Sequence, residues 1–257
     1  MLGTLTRSTV SRFRNTLSSM FGWAVRERII PRNVAEESCV PRGTGQDADA
    51  EVFPFSMDEF RDFHRDLVLT SPTQADVALV LALTGIRWGE LVALRVRDVG
   101  QLPRPAFLVS RSAPDSQPIR STTKGGKARS VPLADELLPI VAARSEGKGP
   151  DDLLFTGPRG ERLNGPNWKR AVKWSMSSRG RRVHDLRHTA ATFWLSSGID
   201  LKTVQTWLGH STAKLTTDLY AHWMGTDADS AAMDKLNQIL GYPSGTKVRN
   251  LRTKAQA

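Results

Sequence analysis

Apolar residues return at helical spacing along most of this chain, and one central stretch breaks that rhythm. Over residues 5–29, Val10, Phe13, Leu17, Met20, Phe21, Ala24 and Val25 recur at three- and four-residue steps, with Arg12, Arg14 and Arg26 on other faces. The spacing predicts one helix, ended by Pro31. Residues 41–51 (PRGTGQDADAE) carry no apolar period and read as a linker. Ser56-Met57-Asp58-Glu59 then has the form of a capping box, and Phe60, Phe63 and Leu67 mark the buried face of the helix it opens. Further helices are predicted near 73–84, broken by Gly85, and near 88–95. From 105 to 133 the character changes: PAFLVSR, the Gly125-Gly126 pair and ARSVPL suggest a small antiparallel sheet with a hairpin at the glycines. Helical periods resume at 134–145, 166–178, 186–196 and 201–208, then around 213–222 and 228–240. The expected fold class is mostly α with a small antiparallel β-sheet (α+β). A helical segment at 1–45 and a linker at 46–54 precede the main domain at 55–225, and a helix and basic tail fill 226–257.

Charge narrows the partners. Thirty-six Lys and Arg against 26 Asp and Glu give a net charge of +10, which favours a polyanion, nucleic acid first and an anionic membrane second. The longest apolar stretch, Val77 to Gly85, is far too short to span a bilayer, and the first residues lack the apolar core and cleavage site of a secretion signal. The single cysteine, Cys39, cannot form an internal disulfide, which suits a reducing cytoplasm. A cytoplasmic protein with no membrane partner is expected.

Four short stretches carry candidate chemistry. In Thr84-Gly85-Ile86-Arg87-Trp88-Gly89-Glu90-Leu91, Gly85 ends one helix and Arg87 begins the next, where Glu90 can brace it. Such a pair at a helix start is usually structural. Thr123-Lys124-Gly125-Gly126-Lys127 sits at the predicted hairpin tip, where a lysine can project into a DNA groove or simply be solvated. In His184-Asp185-Leu186-Arg187-His188, three- and four-residue steps put His184, Arg187 and His188 on one helical face. The spacing resembles the zinc-binding His-Glu-x-x-His, but a permanent charge at Arg187 and the shorter Asp count against a metal. The fourth stretch runs from Trp207-Leu208-Gly209-His210 to Tyr220, one of two tyrosines in the chain. A tyrosine with a hydrogen-bonded hydroxyl is the bland alternative there.

Taken together, two arginines, a lysine and two histidines without paired carboxylates suit a phosphodiester. Guanidiniums stabilise the charge of a pentavalent transition state, and the same cations lower the pKa of a tyrosine nucleophile from about 10. Arg87 with Glu90, the hairpin lysine, His-x-x-Arg, Leu-Gly-His and a downstream tyrosine, in this order, resemble the tyrosine recombinase (phage integrase) family over residues 52–225. The resemblance implies a catalytic domain in which Arg87, Lys124, His184, Arg187 and His210 surround the phosphate and Tyr220 forms a 3′-phosphotyrosine. Lys124, preferred over Lys127, would be the general acid, and Glu90 a supporting residue. Arg12, Arg14, Lys127 and Arg129 are the further basic residues expected to meet DNA. No cofactor and no metal are implied.

The resemblance also gives roles to the ends. Residues 1–45 look like the last part of a helical core-binding domain, and the expectation is of a shortened version of that domain without an arm-site domain. The helix near 228–240 resembles a segment that packs on a neighbouring protomer, although packing on its own domain fits equally well. The expected partners are double-stranded DNA, a homo-tetramer assembled on it, and accessory DNA-bending proteins. The expected function is site-specific recombination or integration; the alternatives are a type IB-like topoisomerase or a truncated DNA-binding relic.

Overall fold

A computed structural model describes residues 7–40, 52–101, 104–113, 118–120 and 128–209. The chain divides into two compact units, residues 1–52 and 53–257.

In the first unit, α1 (Arg7–Arg26) is followed by the single turn α2 (Val34–Glu37). The predicted helix stops three residues short of its expected end. Arg28 takes a left-handed φ of 58°, and Ile29 N–H reaches back to the Ala24 carbonyl, so the helix closes before Pro31 acts. Asn33 caps α2 through the Glu36 N–H and donates its Nδ2 to the Ser18 carbonyl, tying α2 to α1. Arg14 adds to that tie, with Nε 2.8 Å from the Ser38 oxygen and Nη2 2.8 Å from the Glu36 oxygen. Two of its nitrogens therefore hold the chain at the end of α2. Arg12 is exposed on α1.

The second unit begins with the capping box the sequence predicts. Ser56 Oγ accepts from Glu59 N–H and Glu59 accepts from Ser56 N–H, opening α3 (Met57–Thr70). Next comes α4 (Pro72–Thr84), apolar on all sides and buried along most of its length, as befits a helix with neighbours all round. It packs between α3 and α9 (Asp185–Ser196). The helix predicted at 88–95 is only one turn, α5 (Trp88–Leu91), because the chain turns to place Asp98 under Arg95 N–H and Arg111. A strand the pattern missed, β1 (Val99–Gly100), pairs with β2 (Ala106–Val109), which pairs with β3 (Arg129–Pro132), all antiparallel in the order β1-β2-β3. Register sets Val99 against Phe107 and Val109 against Arg129. Phe107, Val109 and Val131 face the core while Leu108 stands exposed, the alternation of a one-sided sheet. The predicted glycine hairpin lies outside the described residues.

A 3₁₀ turn leads into α6 (Leu138–Ser145). The helix predicted at 166–178 is two pieces, α7 (Gly165–Ala171) and α8 (Trp174–Ser177), broken where Lys173 takes a left-handed conformation. The break brings Trp168 and Trp174 ring to ring at 5.4 Å, with Trp88 and Phe63 against them at 5.3 and 5.7 Å. The last described helix, α10 (Leu201–Leu208), is capped by Asp200 and ends at Gly209. The helices predicted at 213–222 and 228–240 lie outside the described residues. No described helix is long and apolar enough to cross a membrane.

Candidate active site

Arg87 and Glu90 are placed by the junction between α4 and α5. Gly85 caps α4 with a φ of 59°, and a Cβ there would stand 2.8 Å from Leu208 and 3.2 Å from Ala190, so both backbone and packing demand glycine. Two residues on, Arg87 occupies the N-cap of α5, and Glu90 reaches back to its N–H at 2.8 Å and to its Nη1 at 2.9 Å. Glu90 is 1% exposed. Its two oxygens also receive the fork of Arg129, at 3.0 and 2.7 Å. Burial works to raise Glu90, but the hydrogen bonds and charge of Arg129, with help from Arg87, outweigh it and hold the carboxyl below its usual range. One carboxylate therefore stands between two guanidiniums, leaving a local surplus of positive charge.

Arg187, in the first turn of α9, is 2% exposed and touches no carboxylate among the described residues. Its Nη1 donates to the Gly85 carbonyl at 2.7 Å and its Nη2 to the Leu208 carbonyl at 2.5 Å. These oxygens close α4 and α10, and the negative ends of two helix dipoles stand in for a counter-ion. Burial, then the nearby Arg87, lower Arg187 to about 9, which leaves it charged at neutral pH.

His184 sits just before α9 with its ring 5.1 Å from that of His188, edge to face. Desolvation, followed by Arg187 and Arg87, lowers His184, so its ring is neutral at pH 7. Burial, followed by His184, pushes His188 down to about 4. Asp185 turns to Arg182, with oxygens 2.8 Å from its N–H and 2.9 Å from its Nη2. Among the described residues, no group of three His, Cys, Asp or Glu is placed to hold a metal ion.

Arg87, His184 and Arg187 line one cavity of about 150 Å³, with Lys169, Trp88 and Trp168 beside them. No carboxylate is among its described lining residues. Arg87 keeps 29% of its side chain exposed and gives only Nη1 to Glu90, so further N–H groups are open to a ligand. Trp88 contributes a buried ring N–H with no partner among the described residues. A cavity with two guanidiniums, a neutral imidazole and no anion suits an oxyanion with several acceptor oxygens.

The fold gathers Arg87, Glu90, His184 and Arg187 around one cavity and its rim. Lys124, Lys127, His210 and Tyr220 lie outside the described residues. The expectation that Arg129 meets DNA is corrected. Its side chain is 7% exposed, both Nη atoms bind Glu90, and Nε donates to the Trp207 carbonyl at 2.6 Å. The signal was present in the sequence, because Arg129 shares a face of β3 with Val131, a core residue. Trp88, Trp168 and Lys169 were not singled out, and only the folded cavity unites them.

Comparison with known proteins gives the chain's family and fold. The model of the phage integrase family matches residues 65–225, more than half of the chain. The tyrosine recombinase XerC of Corynebacterium efficiens is 30% identical over 231 residues, covering 84% of this chain and 67% of that protein. The XerC of Roseiflexus sp. is 29% identical over 232 residues, covering 84% and 68%. Among solved structures, the Tn1549 transposon integrase in complex with circular intermediate DNA superimposes with a TM-score of 0.69 over 90% of this chain and 80% of that one, at 21% identity. A lambda integrase dimer bound to a COC′ core site gives 0.59 over 81% and 74%, at 18% identity. The solved structures speak for the fold, while the family model, whose match over residues 65–225 takes in Arg87, His184, Arg187 and Tyr220, and the sequence relatives place the chain in the phage integrase family, as a tyrosine-type site-specific recombinase.

Proposed function

We propose that this protein cuts and rejoins double-stranded DNA through a phosphotyrosine link formed by Tyr220. The observation that carries the reading is the single cavity on which Arg87, Arg187 and His184 open together, with no carboxylate in its described lining. Arg87 and Arg187 clamp the non-bridging oxygens of the scissile phosphate and offset the charge that builds in the pentavalent transition state. Tyr220 gives its hydroxyl proton to the neutral His184 as Oη attacks phosphorus, the bond from phosphorus to the 5′-oxygen breaks, and Lys124 gives that oxygen its proton. A 3′-phosphotyrosine remains, and a 5′-hydroxyl from the exchanging strand reverses the step without net loss of a phosphoester bond. His184, neutral at pH 7, hydrogen-bonds the phosphate, and His210 completes the donor set. Glu90 keeps Arg87 in place. Arg12 and Lys127 contribute phosphate contacts that position the duplex without reading sequence.

A homo-tetramer on DNA, assisted by DNA-bending proteins, is the assembly this reading implies. The solved relatives support DNA as the partner, since both structures compared above were determined on DNA. A purely DNA-binding role has no need of Tyr220 downstream of Leu-Gly-His, and a topoisomerase role finds no support in relatives that are recombinases.

The test is covalent trapping on nicked suicide DNA drawn from the flanks of the gene, without added metal, comparing the unaltered protein with Tyr220→Phe. The expected outcome is a denaturation-resistant adduct that the Phe variant fails to form while binding the same DNA. Equal adduct in both would remove Tyr220 as nucleophile; salt-sensitive binding with no adduct in either would favour the binding-only role.

A further inference from the structure

The end of α10 is closed in an unusual way. A helix leaves its last four carbonyls without intrahelical partners. Here the carbonyls of Gln205 and Thr206 accept from Gly209 N–H, as an ordinary left-handed cap provides. The other two are taken by arginines from distant parts of the chain: Trp207 by Arg129 Nε and Leu208 by Arg187 Nη2. Gly209 lies against the Arg129 side chain so closely that a Cβ there would stand 2.9 Å from its Cδ. The residue after Gly209 is His210, and Tyr220 follows on the same segment.

Arg129 is also the second partner of Glu90, whose first partner is Arg87. One guanidinium therefore joins three elements: it rises from β3, grips the carboxylate that orients Arg87 on α5, and fixes the last turn of α10. Resting on the reading proposed above, we infer that Arg129 is a positioning residue that locks the phosphate-binding Arg87 and the last turn of α10, after which His210 and Tyr220 follow in the sequence, into one register. Two consequences follow if its fork is removed. The Trp207 carbonyl loses its donor, which frees the last turn of α10. Glu90 then turns its whole charge on Arg87, weakening the guanidinium's hold on the phosphate. Lysine cannot substitute fully, because one ammonium is a point charge and cannot bridge a carboxylate and a carbonyl in the fixed planar geometry of a fork.

The experiment compares Arg129→Met and Arg129→Lys with Val131→Ala, a core truncation on the same strand that softens the fold without touching the fork. Each is followed by thermal unfolding, by affinity for the nicked DNA, by the rate of adduct formation at saturating DNA, and by amide hydrogen exchange over residues 201–222. Arg129→Met is expected to slow adduct formation by about 100-fold, the cost of a misplaced reacting group, with DNA affinity nearly unchanged. Exchange over 201–222 should quicken in Arg129→Met and stay as it was in Val131→Ala, with Arg129→Lys between them in rate. An Arg129→Lys variant as fast as the unaltered protein would overturn the inference, and so would a Val131→Ala variant of matched stability slowed to the same degree. Should the unaltered protein form no adduct, the Tyr220 reading fails on its own, and the exchange data still decide the positioning: equal exchange in all variants would sink it.

Discussion

Arg187 and His188 show how burial and the groups within reach together set single residues on one helix. Arg187 stays charged because two helix ends supply its counter-charge, whereas His188, with no such partner among the described residues, is held neutral at pH 7. An unfolded histidine titrates near 6.5, and His188 in the folded protein near 4. Between those values the unfolded chain binds the proton and the folded one does not, so the His188 penalty is absent above about pH 6.5, grows as pH falls, and levels off below about 4. By pH 5 it should amount to roughly 2 kcal/mol. The expected outcome is that urea unfolding of the unaltered protein loses this stability between pH 7 and 5, and that His188→Gln loses markedly less. Identical pH dependence in both would show that His188 titrates normally.

The elements of the site are held by their ends. α4 stops at Gly85 because the left-handed cap must fit beneath Leu208 and Ala190, and the carbonyl it presents is the one Arg187 takes. Alanine at this position meets both a strained φ and occupied space, so Gly85→Ala should cost about 3 kcal/mol in urea unfolding, the upper end of the strain range. A loss under about 0.5 kcal/mol would mean that the cap relaxes freely and is not needed to seat Arg187. At the other end of the domain, Ser56→Ala removes one side of the capping box that opens α3 and should cost about 1 kcal/mol in the same measurement. Since α3 lines no part of the cavity, adduct formation at saturating DNA should be unaffected, and a slower rate would argue that the site depends on global stability.

For the whole molecule the net charge of +10 governs the encounter with DNA. Each phosphate neutralised contributes a slope of about −0.9 to log affinity against log salt. Binding to the nicked duplex should weaken steeply and linearly on that plot, and charge-removing variants at Arg12 or Lys127 should flatten it, each by about one phosphate. A response indifferent to salt would remove DNA as the partner.

The sequence by itself determined the local parts. Capping chemistry, glycine stops and helical periods are short-range, so the start of α3, the end of α4 and the spans of α9 and α10 were legible from neighbouring residues. The order Arg87, Glu90, His184, Arg187 and the Leu-Gly-His preceding Tyr220 likewise marked the family before any geometry was known. Lengths and breaks were less legible. The stop in α5 and the split between α7 and α8 go with tertiary packing, of Asp98 under Arg111 and of Trp168 and Trp174 against Trp88 and Phe63, which no local propensity encodes. Only the tertiary structure decided what each cation does. Arg87 and Arg129 are alike in sequence terms, a guanidinium at the start of an element, yet one opens on the cavity and the other is spent on Glu90 and Trp207. The difference arises because a buried guanidinium must find acceptors, and which acceptors lie within reach is fixed by where strands and helix ends meet.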